Sequence, residues 1–229
     1  MLLPMIEANE EEALGVIANE VKVCQKCRLG KTRTQAVPGV GDPEAEVLFV
    51  GEAPGYQEDQ KGIPFCGPAG KFLDEMLASV SLDRDKVFIA NVIKCRPPEN
   101  RDPEDDEKNA CWPYLQKQIE IINPKLIVCL GRHSMMRLIP GQASISKIHG
   151  KPLRRPDGRV YLPLYHPSAA LHNGSLRPVQ LEDFSKIPSI IEKIQKSDQI
   201  TPTSQESVPT AEVKINQEGK DKIIKQKLL

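Results

Sequence analysis

The sequence has no surplus of charge of either sign. Its 31 Lys and Arg balance 31 Asp and Glu, and the isoelectric point is near 6.9. That balance excludes a chain that coats nucleic acid or membrane indiscriminately. It leaves room for a local basic patch, which is all that phosphate contacts need. Lys94, Arg96, Arg101, Arg154, Arg155, Arg159 and Arg177 supply one. The chain also lacks an apolar run of membrane-spanning length. The short start Met1–Ile6 has no basic residue and is followed at once by Glu7, Glu10, Glu11 and Glu12, so no secretory signal is read. An intracellular protein is expected. The six cysteines of such a chain are more readily metal ligands or buried apolar residues than disulfides.

What is present alternates between two periodicities. Glu7–Val23 reads as an amphipathic helix with Ala13, Leu14, Ile17, Ala18 and Val21 at helical spacing. Val47–Val50 is a continuous apolar run ended by Gly51, as in a strand buried on both faces. A Gly- and Pro-rich loop from Gly51 to Gly67 leads to a helix over Pro68–Val80. The pattern repeats with a strand over Val87–Val92 and an irregular loop over Arg96–Asp102. A helix then follows, capped by Asp102 and Pro103 and running to Ile122, with Pro113 expected to kink or split it. Further strands are read at Leu126–Leu130 and Val160–Tyr165, a short helix after Gly131, and a last helix over Ile187–Ile194. This implies a three-layer α/β/α sandwich around a mostly parallel four-stranded sheet. Its ligand is expected beyond the carboxyl ends of the strands. The folded unit is expected to span residues 1–196. Residues 197–229 form a polar tail, read either as a frayed end or as a tethered docking peptide, with a sliding clamp as one partner considered. Nothing calls for more than a monomer.

Cys24 and Cys27 form a C-x2-C pair, and Cys95 and Cys111 lie far along the chain beside the same loops. Four thiolates close a zinc site or hold an iron–sulfur cluster, and spacing does not separate the two. The simpler alternative makes Cys95 and Cys111 ordinary buried residues. Cys129, in mid-strand, is expected in the core, and no catalytic role is inferred for Cys66.

The loops carry a more specific pattern. Gly51-Glu52-Ala53-Pro54-Gly55, then Glu58-Asp59, then Gly62 to Gly70, resembles the first motif of the family 4 uracil-DNA glycosylases. Asn91-Val92-Ile93-Lys94-Cys95-Arg96-Pro97-Pro98 is similar to their second motif, and His166-Pro167-Ser168 to their His-Pro motif. The resemblance covers about Val23 to Lys196. It implies an enzyme of base-excision repair, common in thermophiles, that hydrolyses the N-glycosidic bond of deoxyuridine in DNA. It also implies a [4Fe–4S] cluster on Cys24, Cys27, Cys95 and Cys111.

The chemistry suits the residue types. Phe65 offers a flat face for a flipped pyrimidine. Asn91 has the donors and acceptor to read uracil O4 and N3–H, with Ala53 lining the same pocket. The resemblance makes His166 a neutral donor to uracil O2, where charge develops as the bond breaks. It places Glu58 against the C5 edge, where thymine carries its methyl. Family 1 enzymes hold an aspartate at the position of Ala53, which has no carboxylate to orient water. The backbone of Glu52 or Ala53, the side chain of Glu52 or another residue takes that task, and Glu52 is named as catalytic without an assigned role. Leu171 is the candidate wedge into the gap left by the flipped nucleotide, although family 1 spacing points to Ala170. Ser168 and Arg177 are candidates for phosphate. Two other classes compete: a non-catalytic polymerase-associated module, and an iron–sulfur electron carrier. The joint presence of Phe65, Asn91 and His166 weighs against both.

Overall fold

The computed structural model describes residues 9–200. In chain order its elements are α1 (Glu10–Val23), β1 (Val40–Gly41), β2 (Val47–Gly51), α2 (Tyr56–Lys61), α3 (Pro68–Ser79), β3 (Phe88–Asn91), α4 (Asp105–Ile122) and β4 (Leu126–Leu130). They continue with α5 (Arg132–Leu138), α6 (Ile145–Ile148), β5 (Leu153–Arg154), β6 (Val160–Leu164), α7 (Pro167–His172), α8 (Leu176–Phe184) and α9 (Ile187–Ile200). Residues 201–229 of the polar tail, with the docking peptide considered there, lie outside the described residues. Among the described residues, no helix is long and apolar enough to cross a membrane.

The sheet runs in the order β1-β3-β2-β4-β6-β5. Its four central strands are parallel, as expected. Two antiparallel edge pairings, of β1 with β3 and β5 with β6, raise the count to six. Each edge strand is two residues long, too short to leave an alternating pattern in the sequence. The central strands are buried at every position, and their alternate residues feed two separate cores. Leu48, Val50, Ile127 and Cys129 pack with Leu14, Ile17 and Val21 of α1 and Tyr114 and Leu115 of α4. Phe49, Val128, Leu130 and Leu162 pack with Phe72 and Leu73 of α3, Phe184 of α8 and Ile187 of α9. That is the three-layer sandwich.

Local chemistry moved several boundaries. α1 begins at Glu10 rather than Glu7, because the Asn9 side chain accepts the Glu12 N–H at 2.8 Å and caps it. α4 starts two residues later than the Asp102-Pro103 cap predicts. Glu107 reaches back to accept the Glu104 N–H at 2.9 Å, which makes Glu104 the cap and frees Asp102 for other partners. Pro113 does not split the helix, which runs unbroken through it. Pro113 and Asn109, whose carbonyl loses a partner, are both exposed, so water serves that carbonyl instead. α9 continues to Ile200, beyond the expected end at Ile194 and the expected domain limit at residue 196.

The rings of Phe49 and Phe184 stack 5.6 Å apart, and both are fully buried. Phe184→Ala is expected to cost about 3–5 kcal/mol, through lost transfer energy and the cavity left behind. Urea denaturation followed by circular dichroism measures it; a loss below about 1 kcal/mol would mean that α8 is not a structural wall of this core.

Candidate active site and thiol cluster

The chain passes from β2 to β3 on one side and then returns past β2 to β4. This reversal opens a crevice at the carboxyl ends of β2 and β4, the usual ligand position in such sheets. A cavity of about 540 Å³ sits there. Every central strand delivers a residue to it: Glu52 and Ala53 after β2, Asn91 at the end of β3, Gly131 and Arg132 after β4, Tyr165 and His166 after β6. The loop between β2 and α3 adds Glu58 and Phe65.

Phe65 is the most constrained of these residues. Its φ is 51°, a left-handed backbone that bulky side chains rarely adopt. The strain is held by the Glu58 carboxylate, which accepts the N–H groups of Cys66 (3.0 Å), Gly67 (2.9 Å) and Gly55 (3.1 Å). The carboxylate expected beside C5 of a base is thus fully engaged as a clamp, and it lines the cavity in a fixed position. Two glycines make room for the ring. A Cβ on Gly70 would stand 1.7 Å from the Phe65 carbonyl oxygen, and one on Gly51 would stand 2.7 Å from the ring. Phe65 lies 5.5 Å from the His166 ring, at an interplanar angle of 31°.

Asn91 is 2 % exposed, and its Oδ1 has no partner in the protein. A buried acceptor left unpaired costs about 1–3 kcal/mol. It stands beside the cavity, next to Gly51 and Phe65.

His166 is held as a neutral donor. The Ser168 N–H donates to Nδ1 at 3.2 Å, and the Ser168 hydroxyl lies 2.7 Å from the same atom. A backbone N–H only donates, so Nδ1 accepts and the neutral ring carries its proton on Nε2. Burial pushes its pKa down to about 4, with Glu58 opposing. Glu52 moves the other way. Burial first, and the charge of Asp102 second, raise its carboxyl to about 7 against the pull of Arg132 and Lys108.

The remaining expected residues are spread more widely. Ser168 is occupied in orienting His166. Leu171 is half exposed at the end of α7, whereas Ala170 is packed into the core. Arg177 lies outside the cavity lining; it pairs with Glu75 and covers the ring of Phe72. The expected basic patch does not form as one face. Lys94 is 1 % exposed and donates to Gln118 Oε1 at 2.6 Å. Its place between two apolar residues at a strand end hid that burial. Arg154, Arg155 and Arg159 lie where β6 begins, at the opposite end of the sheet from the cavity. Arg101 lines the cavity but is held by both oxygens of Glu107. Arg132, His133, Asn100 and Tyr165 were missed. All follow strands or precede a helix at the sheet's carboxyl end, and the rule that placed the ligand there would have found them.

Cys24, Cys27, Cys95 and Cys111 line a second, small cavity. Three N–H groups address the sulfurs: Arg33 Nη1 on Cys95 (3.0 Å), Lys94 N on Cys111 (3.2 Å) and Lys26 N on Cys24 (3.5 Å). Burial pushes the Cys111 thiol up to about 11 and the Cys95 thiol in the same direction, so a metal centre there must displace protons. Among the described residues, no three of these sulfurs lie within 4.8 Å of one another. A single zinc holds its sulfurs about 3.8 Å apart, given Zn–S bonds of about 2.3 Å. Cys95 and Cys111 bracket the segment that brings Pro97, Asn100, Arg101 and Asp102 to the larger cavity.

A sheet with its crevice at the reversal, a strained aromatic and a buried free carboxamide define a pocket for one flat polar ring. The chain matches the Uracil DNA glycosylase superfamily over residues 38–187, a span that contains all four central strands. It is 51 % identical to the type-4 uracil-DNA glycosylase of Sulfurisphaera tokodaii over 184 residues, covering 77 % of this chain and 84 % of that one. The identity is 45 % with the type-4 enzyme of Archaeoglobus fulgidus over 195 residues, 80 % of this chain and 96 % of the relative. With that of Thermotoga maritima it is 43 % over 186 residues, 80 % and 97 % of the two chains. The chain belongs to the type-4 uracil-DNA glycosylase family of that superfamily.

The ring of His166 is expected to keep its proton on Nε2 and to titrate near 4 rather than near 6.5. Nitrogen-15 shifts of the imidazole across that range measure both. An Nδ1–H tautomer, or a midpoint near 6.5, would overturn the assignment.

Proposed function

We infer that this chain hydrolyses the N-glycosidic bond of deoxyuridine in DNA, releasing uracil and leaving an abasic site. The observation that carries the reading is the buried, unpartnered Asn91 Oδ1 beside Phe65 and His166. Uracil supplies the missing donor through N3–H, and its O4 accepts from the Asn91 amide. Cytosine offers an acceptor at N3 and leaves Oδ1 unpaired, which disfavours it. Phe65 stacks on the ring, and Leu171, half exposed, is the side chain placed to fill the vacated stack. Glu58, fixed by three amides, forms part of a wall that does not yield to a methyl at C5.

In the reaction the C1′–N1 bond breaks and its electron pair passes to uracil, where O2 carries much of the charge. His166 Nε2–H donates to that oxygen. A neutral, buried donor aligned on O2 stabilises the developing anion more than the ground state. Water adds to C1′, forming the new C–O bond, and its proton passes to the carboxylate of Glu52. Ala53 has no group for this task, and Glu52 is the nearest ionisable side chain on the same loop.

The four cysteines fit a [4Fe–4S] cluster. Four sulfurs line one small cavity, and three N–H donors, the Arg33 guanidinium and the backbone amides of Lys26 and Lys94, address three of them. Bound there, the cluster supplies a tie between α1, the end of β3 and α4, and no step of the hydrolysis needs its electrons.

Incubation with a uracil-containing oligonucleotide, followed by alkali, is expected to cleave at the uracil and spare a matched thymine oligonucleotide. His166→Ala is expected to lose on the order of 10² to 10³ in single-turnover rate while binding the same DNA nearly as tightly. Collapsed affinity with an unchanged rate at saturation would make His166 a binding residue. For the cluster, the purified protein is expected to be yellow-brown with broad visible absorption, and Cys95→Ser to lose both colour and thermal stability. Colourless protein with one equivalent of zinc would refute the cluster.

A further inference from the structure

Glu52 does not stand alone at the cavity edge. Its Oε1 is 3.7 Å from Nε2 of His133, and that nitrogen is 3.2 Å from Oδ2 of Asp102. Three ligand-type atoms therefore lie within 4.8 Å of one another. Arg132 ties the group together: its Nε donates to His133 Nε2 at 2.9 Å, and its Nη2 to Asp102 Oδ2 at 2.5 Å. The guanidinium thus occupies the atoms that a metal ion would need, and the cluster is a hydrogen-bonded one.

We propose that Asp102, Arg132 and His133 are positioning residues for Glu52, which surround its carboxyl at the cavity edge and set whether it is charged. The proposal rests on the activity inferred above and assigns its control. Asp102 comes from the segment before α4, and Arg132 and His133 open α5, so the two sides of the crevice meet at Glu52. His133 is mostly buried, and burial lowers its pKa, so it is neutral near pH 7 and acts as a spacer. The charges that act on Glu52 are then Asp102, which disfavours its ionised form, and Arg132 with Lys108 of α4, which favour it. Asp102 and Arg132 are both well exposed, so each exerts a modest, salt-screened effect.

This arrangement explains the otherwise unused freedom of Asp102. It does not cap α4, and it faces Arg132 and His133 across the crevice. It also gives the site a definite pH response. The Glu52 pKa is raised, so the ionised form that accepts the proton of water is present above about 7 and is lost as pH falls through that value.

The test is the pH dependence of single-turnover uracil excision at saturating enzyme. The wild-type protein is expected to show an acid limb near 7. Asp102→Asn should move that limb down and Arg132→Met should move it up, each by roughly half a pH unit. A general loss of structure would lower the plateau without moving the limb in opposite directions. Carbon-13 titration of the Glu52 carboxyl in the same three proteins, free of DNA, should show the same opposed displacements. Limbs and titrations that coincide in all three, or that move the same way in both variants, would overturn the proposal. If no uracil is excised at all, the assigned activity has failed, and the carboxyl titration still decides the inference.

Discussion

The central strands are buried on both faces, and the chemistry depends on this constraint. A strand covered on both sides has no side chain available for a ligand until its last residue. Gly51, Asn91, Leu130 and Leu164 are those last residues, and the cavity lies directly beyond them. His166 and Asn91 are thus presented from buried strand ends, in a medium where charge is expensive to bury.

That medium drives two of the titratable groups that line the cavity, His166 and Glu52, in opposite directions. Burial keeps His166 neutral, so it presents an Nε2–H donor without carrying a charge into the pocket. Burial also holds the Glu52 carboxyl near 7, well above an ordinary glutamate, a range that suits the base role proposed for it. Pairs of groups driven apart by environment mark acid–base and electrostatic sites in general. Here the divergence comes from one cause acting on an acid and a base. The local charges, Asp102 and Arg132 for the one and Glu58 for the other, adjust it.

The thiol cluster and the cavity share a single stretch of backbone. Between Cys95 and Cys111 the chain makes two successive left-handed residues, Glu99 and Asn100, both with φ of 55°. It then presents Asn100, Arg101 and Asp102 to the pocket before entering α4. Strain of this kind persists only where both ends are fixed. Here the Arg96 guanidinium holds the Asn100 side chain at 2.8 Å, and the Asn100 and Arg101 N–H groups donate back to Pro97 and Pro98. The two walls of the pocket are thus both strained loops, one clamped by a carboxylate and one bracketed by thiols.

Much of this was legible along the chain. The four central strands, the helices between them and the end of the sheet where the cavity lies follow from continuous apolar runs, two of them ended by Gly51 and Gly131, because a two-sided burial demands continuous hydrophobic residues. Phe65, Asn91 and His166, read from motifs, line the larger cavity, and the four cysteines line the smaller one. Tertiary structure alone decided the rest. The edge strands Val40–Gly41 and Leu153–Arg154 are too short to carry a period. Lys94 reads as a surface cation and is buried, because its amine finds Gln118 from a helix 24 residues away. Asp102 reads as a helix cap and faces Arg132, 30 residues on. Ser168 reads as a phosphate ligand and sets the tautomer of His166. In each case a polar side chain has several partners within reach of its residue type. Which one it takes is fixed by what the fold brings within about 3 Å, a distance that spacing along the chain does not encode.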